Sequence, residues 1–277
     1  MTQTILITGT SSGFGEATAR LFAARGWNVI ATMRNPEASN ALQSGDNVLV
    51  TRLDVEDLDT IEAAISEGIA RFGRIDALLN NAGYGLFAVF EGASRDAVKR
   101  QFDVNVFGVM DVTRAILPHF RSNRKGTIIN ITSGAGVIGF PMASLYSASK
   151  FAVEGFTEAL GYEFSGLGIS AKLVQPGGAP GTGFMTRSGA EGAAIPVATD
   201  YFPFLDDIGK LYGGMAGGTD PDAVEKVASA IFEAATDGSN RLRYIPTDDI
   251  RPLVDARRGA TEEHYQALVN RAFLPQA

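Results

Sequence analysis

The chain has 277 residues, of which 45% are hydrophobic and 20% charged, with a formal net charge of −7 and no cysteine. That length and composition belong to a globular protein with a sizeable core. The missing cysteines exclude disulfides, thiolate catalysis and cysteine-based zinc sites, and the acidic balance argues against nucleic acid as a partner.

The chain opens without a secretory pattern, and no uncharged apolar run reaches the ~18 residues of a membrane span, so a cytoplasmic setting is the expectation. His119 and His264 lie far apart with no metal-ligand or nucleophile spacing, and structural roles are expected for both.

Residues 4–8 predict a short buried strand, followed by Gly9-Thr10-Ser11-Ser12-Gly13-Phe14-Gly15 and a helical apolar pattern running to Gly26. Strand, glycine turn and helix together make an anion site. Gly9, Gly13 and Gly15 let the main chain approach a pyrophosphate. The helix start at Ser11, Ser12 and Phe14 offers unpaired N–H groups and a positive dipole end. The spacing T-G-x-x-x-G-x-G is a variant of the more familiar dinucleotide fingerprint.

A second strand at 27–33 ends on Met33 and is followed by Arg34, where such folds meet the adenosine ribose. A carboxylate there suits NAD(H). Met33 and Arg34 instead favour the 2′-phosphate of NADP(H), with NAD(H) as second choice. A third strand at 47–53 runs into Asp54 and Val55, and two roles stay open for Asp54: accepting from an adenine amino group, or capping the helix expected at 57–72. The fourth strand, 75–79, leads into Asn80-Asn81-Ala82-Gly83, whose small residues and turn amides suit close passage of a cofactor.

A long helix is expected over 95–121, yet it contains Val104-Asn105-Val106-Phe107-Gly108, a locally poor helix sequence. Asn105 is expected to bond within a kinked turn, to hold water, or to be a core amide satisfied by nearby backbone. The fifth strand, 127–132, ends at Ser133, either a donor to a carbonyl oxygen or a turn cap; the sixth, 170–175, stops at Pro176-Gly177-Gly178.

Between them a helix over 144–160 carries Tyr146 and Lys150 one turn apart on one face. A phenol with a reference pKa near 10 lacks roughly 4 kcal/mol of being ionised at neutral pH. An ammonium about 4 Å away, at an effective dielectric near 20, offsets about that much before desolvation opposes it. The pair is therefore a candidate general acid and base. The stretch 178–218, with Phe184, Met185, Tyr201, Phe202, Phe204, Leu211, Tyr212 and Met215 among small residues and prolines, reads as a lid over an apolar pocket. The alternation of strands and helices predicts a parallel sheet covered on both faces, with the functional groups at the strands' carboxyl ends.

Thr8-Gly9-x-x-x-Gly13-x-Gly15, Asn80-Asn81-Ala82-Gly83, Asn105, Ser133, Tyr146-x-x-x-Lys150 and Pro176-Gly177 stand in the order and approximate spacing of the short-chain dehydrogenase/reductase family, which the chain resembles to about residue 180. The resemblance implies a single Rossmann-like domain over 1–277, a doubly wound parallel sheet of about seven strands with helices on both faces. It implies Tyr146 as acid and base, Ser133 orienting a substrate carbonyl, Lys150 lowering the tyrosine pKa and binding the nicotinamide ribose, and Asn105 supporting a water-linked proton relay. Cofactor contacts are expected from Gly9, Ser11 to Gly15, Arg34, Asp54, Val55, Asn81, Ala82, Gly83, Tyr146, Lys150, Pro176 and Gly177.

One departure concerns the threonine that the family places five residues after this proline: Gly181 stands there, followed by Thr182, with Pro180 inserted before them. A tail beyond 248, helix-like at 261–272, is expected to serve assembly. The leading function is an NADP(H)-dependent oxidoreductase that interconverts an apolar ketone or aldehyde and an alcohol, as a homodimer or homotetramer. The alternatives are a non-catalytic NADP-binding regulatory protein and an epimerase or dehydratase with transient hydride transfer.

Overall fold

The structure, a computed structural model, describes residues 2–38, 42–178, 182–217 and 220–274, with backbone alone at Ala38, Met185, Thr186, Met215, Ala216 and Gly217. Its centre is a seven-stranded sheet whose strands all run parallel: β1 (Thr4–Thr8), β2 (Asn28–Met33), β3 (Val48–Arg52), β4 (Ala77–Asn80), β5 (Gly126–Ile131), β6 (Ile169–Val174) and β7 (Arg243–Tyr244). The spatial order is β3-β2-β1-β4-β5-β6-β7, so the winding reverses between β1 and β4. A crevice outside the carboxyl ends at such a reversal is where open α/β sheets take ligands.

Both faces of the sheet are covered, which is why β1, buried at every position, reads as continuous apolar and β-branched sequence. On one face α1 (Gly13–Ala24) and α8 (Ala223–Thr236) bury Ala19, Phe22, Val227 and Ile231 against Ile5, Ile7, Val29 and Leu79. On the other, α2 (Leu58–Phe72), α4 (Gly108–Asn123) and α5 (Ser144–Glu163) bury Ile61, Ile65, Val112, Ile116, Phe120 and Leu160 against Leu6, Ile30, Leu78 and Ile128. Of the two roles left open for Asp54, helix capping is ruled out. Asp57 is the N-cap of α2 and accepts from the Thr60 amide, while Asp54 accepts from the Glu56 amide at 3.2 Å and closes the preceding turn.

The long helix expected at 95–121 is α3 (Arg95–Phe102), then a π-helical segment (Asp103–Phe107), then α4. The wider turn falls on the poor helix formers and turns Asn105 inward, as π-segments at functional sites often do. The stretch expected as a lid contains α6 (Gly183–Ala193) and α7 (Phe202–Gly217). Its expected apolar residues divide. Phe202 and Phe204 are exposed, Leu211 packs toward the C-terminal helices, and Phe184 and Tyr212 turn toward Tyr146 and Phe87.

The tail forms α9 (Arg251–Gly259) and α10 (Glu262–Phe273). Their apolar side chains Val254, Tyr265 and Phe273, with Ile250, are buried within the chain against Val137, Ile138 and Phe140. Among the described residues no helix is long and apolar enough to cross a membrane.

Candidate active site

The glycine turn after β1 has the shape that its sequence requires. Gly9 has φ +74°, in the region that favours glycine, and a Cβ on Gly15 would stand 2.2 Å from the Gly9 carbonyl oxygen. Ser12 is extended and makes no side-chain cap, and Ser11 and Ser12 are exposed, so α1 begins with its first amides unblocked by its own side chains. Phe14 and Gly15 follow in the first turn. The turn is tied to the end of β4: Thr8 Oγ1 accepts from the amides of Asn81 and Ala82 at 3.0 Å, and Asn81 Nδ2 donates to the carbonyls of Thr8 and Gly9 at 2.9 and 3.0 Å. This close main-chain cradle at a helix N-terminus fits a dinucleotide pyrophosphate.

Met33 is buried at the end of β2, and Arg34 beyond it is exposed with no hydrogen bond or ion pair among the described residues. Val55 packs on Gly108 at the start of α4. Gly83 lies beside Asn105 and the Lys150 ammonium. Pro176 accepts from the Gly134 amide at 2.9 Å, while the amides of Gly177 and Gly178 are taken by Thr247 Oγ1 at 2.8 Å and Asp249 Oδ2 at 2.7 Å. The expected cofactor contact at Gly177 is thereby without its N–H, because Thr247, just before the tail, claims it. Pro180 and Gly181 lie outside the described residues; the Thr182 side chain stands 3.4 Å from where a Cβ on Gly13 would lie.

Ser133, Tyr146, Lys150 and Asn105 converge at the ends of β5 and α5. Ser133 caps a short 3-10 turn (Gly134–Gly136) by accepting from the Ala135 amide at 3.1 Å, and its hydroxyl lies near enough to the Tyr146 hydroxyl to favour the phenolate. Tyr146 is buried under Phe87 and Phe184, with ring centroids 5.8 and 5.5 Å away, and Phe140 packs beside it. Asn105 accepts from the Tyr84 amide at 3.0 Å and donates to the Tyr84 carbonyl at 2.8 Å and to Ser149 Oγ at 3.2 Å. It is therefore a core amide satisfied by backbone.

The electrostatics differ from the sequence expectation. Burial pushes the Tyr146 hydroxyl up to about 12, and only the nearby Ser133 hydroxyl pulls it down. The Lys150 ammonium donates to the Ile131 carbonyl at 2.9 Å and stands 5.7 Å from the tyrosine ring centroid, so it is directed at β5 and does not offset the desolvation of the phenol. Burial brings Lys150 itself down to about 8, opposed by the carboxylate of Glu154.

Sequence reasoning missed Phe87, Phe140 and Glu154. Glu154 had a signal, a carboxylate one turn beyond Lys150 on the same helix stripe; the two phenylalanines sit in loops with no periodicity to reveal them. His119 accepts the Ile75 amide at 3.0 Å and His264 lies on α10, so neither joins the cluster. Among the described residues no group of His, Asp and Glu could hold a metal ion.

The sequence profile of the short chain dehydrogenases matches residues 3–191. An uncharacterised oxidoreductase of Schizosaccharomyces pombe is 38% identical over 221 residues, covering 78% of this chain and 89% of its own. A short-chain dehydrogenase from Streptomyces avermitilis superposes with a TM-score of 0.78 at 30% identity over 98% of both chains. The 3-ketoacyl-(acyl-carrier-protein) reductase of Brucella melitensis, complexed with NADH, does so with a TM-score of 0.71 at 25% identity, over 88% of this chain and 97% of its own. With the parallel sheet, the glycine turn and the Ser133, Tyr146 and Lys150 cluster in place, the chain belongs to the short-chain dehydrogenase family of oxidoreductases.

Proposed function

We propose that the chain is an NADP(H)-dependent reductase and dehydrogenase that interconverts an apolar ketone or aldehyde and its alcohol, with Tyr146 giving and taking the proton. The observation that carries this reading is the Tyr146 hydroxyl beside the Ser133 side chain, its ring held between Phe87 and Phe184 with Phe140 in the same cluster. A phenol held near 12 keeps its proton at neutral pH, which suits donation to a carbonyl oxygen as negative charge develops there. Ser133 donates to the same oxygen and fixes its direction. Lys150, one turn on, holds ribose hydroxyls. Asn105 keeps the 83–87 loop against α5 through Tyr84.

The bound nicotinamide cofactor supplies or accepts the hydride. Gly9, Ser11, Ser12, Gly13, Phe14 and Gly15 would hold its pyrophosphate, Arg34 its 2′-phosphate, Asp54 and Val55 its adenine, and Asn81, Ala82, Gly83, Pro176 and Thr182 its nicotinamide half. The aromatic ring around Tyr146 excludes water and selects an apolar substrate.

The test is a panel of aliphatic, alicyclic and aromatic ketones, aldehydes and secondary alcohols offered with each of NADPH, NADH and their oxidised forms. Turnover of apolar carbonyls with NADPH above NADH is expected. Turnover confined to charged substrates, or none across the panel, contradicts the reading.

A further inference from the structure

We propose that Glu154 is a positioning residue that keeps Lys150 an ammonium, and that Arg243 on β7 sets the strength of that hold from behind the site. This rests on the reading of Lys150 given above. The helix α5 repeats chemistry at every fourth residue, Tyr146, Lys150, Glu154 and Glu158, which places the four on one stripe. Glu154 is buried, and its carboxylate accepts three hydrogen bonds: from Thr132 Oγ1 at 2.6 Å, Gln175 Nε2 at 2.7 Å and Arg243 Nε at 3.0 Å. Thr132 follows Ile131, whose carbonyl takes the Lys150 ammonium, and Gln175 precedes Pro176. One carboxylate therefore joins the ends of β5 and β6 directly behind the reacting groups. Arg243 continues outward to Glu158, and Arg258 of α9 donates to Gln175 Oε1 at 3.0 Å.

The Arg243 guanidinium pairs with this carboxylate, and two neutral donors hold it in place. The carboxylate is also the group that opposes the burial of Lys150. The ionisable groups on the elements around this stripe include Tyr146, Glu158, Tyr162 and Glu163 on α5, Arg243 and Tyr244 on β7, and Arg251, Asp255, Arg257 and Arg258 on α9. Asp103 and Arg100 lie on the segments before α4. Lys172 on β6 is engaged by Asp237. A purely structural clamp across β5, β6 and β7 would predict stability changes alone, without a change in how Lys150 titrates.

The experiment labels lysine with carbon-13 at Cε and follows Lys150 by NMR as pH is varied. The chain has six lysines, and Lys150→Met identifies the Lys150 signal. The parent midpoint is expected near 8. Glu154→Gln should lower it by about one to two pH units, while Arg243→Gln, which frees the carboxylate of its cation, should raise it by about half a unit. Opposite signs from two partners of one ion pair are what the proposal requires. Arg243 is partly exposed, so its variant carries the test if Glu154→Gln does not fold.

Midpoints within about 0.2 units of the parent in every folded variant overturn the proposal. The NMR signal needs no turnover, so the two readings separate. If the Lys150 midpoint moves while the pH dependence of turnover stays that of the parent, Glu154 holds its role and Lys150 loses its place in the proposed mechanism.

Discussion

Asn105→Ala probes the joint between the π-helical segment and the active-site loop. The amide is buried, and removing it deletes three hydrogen bonds, two to Tyr84 backbone and one to Ser149. The losses are unequal. Ser149 keeps its bond to the Tyr146 carbonyl at 2.7 Å, and the Tyr84 carbonyl keeps the Gln101 side chain at 2.9 Å. Only the Tyr84 amide is left with no partner. An orphaned donor costs about 1–3 kcal/mol and each of the two ordinary bonds contributes about 1 kcal/mol, so a loss of about 3–5 kcal/mol is expected. For a chain of this size that is a fall in Tm of roughly 5–12 °C.

Asn105→Asp should be worse at neutral pH, because a carboxylate oxygen would then face the Tyr84 carbonyl that the amide nitrogen now serves. The assay is a circular dichroism melt of the three proteins with cofactor titration alongside. An Asn105→Ala protein melting within about 1 °C of the parent refutes the reasoning.

The remaining predictions address the cofactor, the sheet edge and assembly. Met33→Asp with Arg34→Ala should reverse the preference for NADP(H) over NAD(H), since a charge-assisted phosphate contact contributes about 1.5–3 kcal/mol, or roughly ten- to a hundredfold in affinity; equal dissociation constants in the parent count against it. Asp237 accepts from buried Lys172 and from the Tyr244 hydroxyl, and these hold its carboxyl well below the usual range. Its folded pKa is depressed, so its stabilisation is present above the unfolded value near 4 and is lost as pH falls through the folded one. Asp237→Asn should cost about 2–4 kcal/mol at pH 7 and flatten the dependence below about pH 4, read from urea melts at several pH values. Phe107 and Phe151 are exposed on the α4 and α5 side, and we propose that they lie in a dimer or tetramer contact. Light scattering should show an oligomer that Phe107→Asp with Phe151→Asp weakens, and a parent monomer at micromolar concentration contradicts this.

The sequence made legible what depends on local chemistry at a strand's end. The glycine turn, the Asn80 to Gly83 turn, Ser133 and the Tyr146 stripe all follow from periodicity and turn residues, and all fall at carboxyl ends of parallel strands. What stayed hidden depends on distant partners. β7 has only two residues and is held by Lys172 and Asp237, neither of which marks a strand. Asp57 rather than Asp54 caps α2 because the chain makes one further turn after β3. The tail reads as surplus length, yet Ile250 and Phe273 reach the loop between Ser133 and Tyr146. The height of the Tyr146 pKa was illegible for the same reason: spacing puts Lys150 one turn away, but only the fold aims its ammonium at the Ile131 carbonyl and closes Phe184 over the phenol.

The central claim is that the Tyr146 hydroxyl exchanges a proton with substrate oxygen, and Tyr146→Phe tests it most directly. The ring and its packing on Phe87 and Phe184 are kept, and the one group that can complete the exchange is removed. Steady-state turnover of a carbonyl substrate is measured on parent and variant, with cofactor titration and circular dichroism confirming that fold and cofactor affinity are unchanged. The account predicts a fall in turnover of at least about a hundredfold. A folded, cofactor-binding Tyr146→Phe protein that turns over at near the parental rate contradicts it.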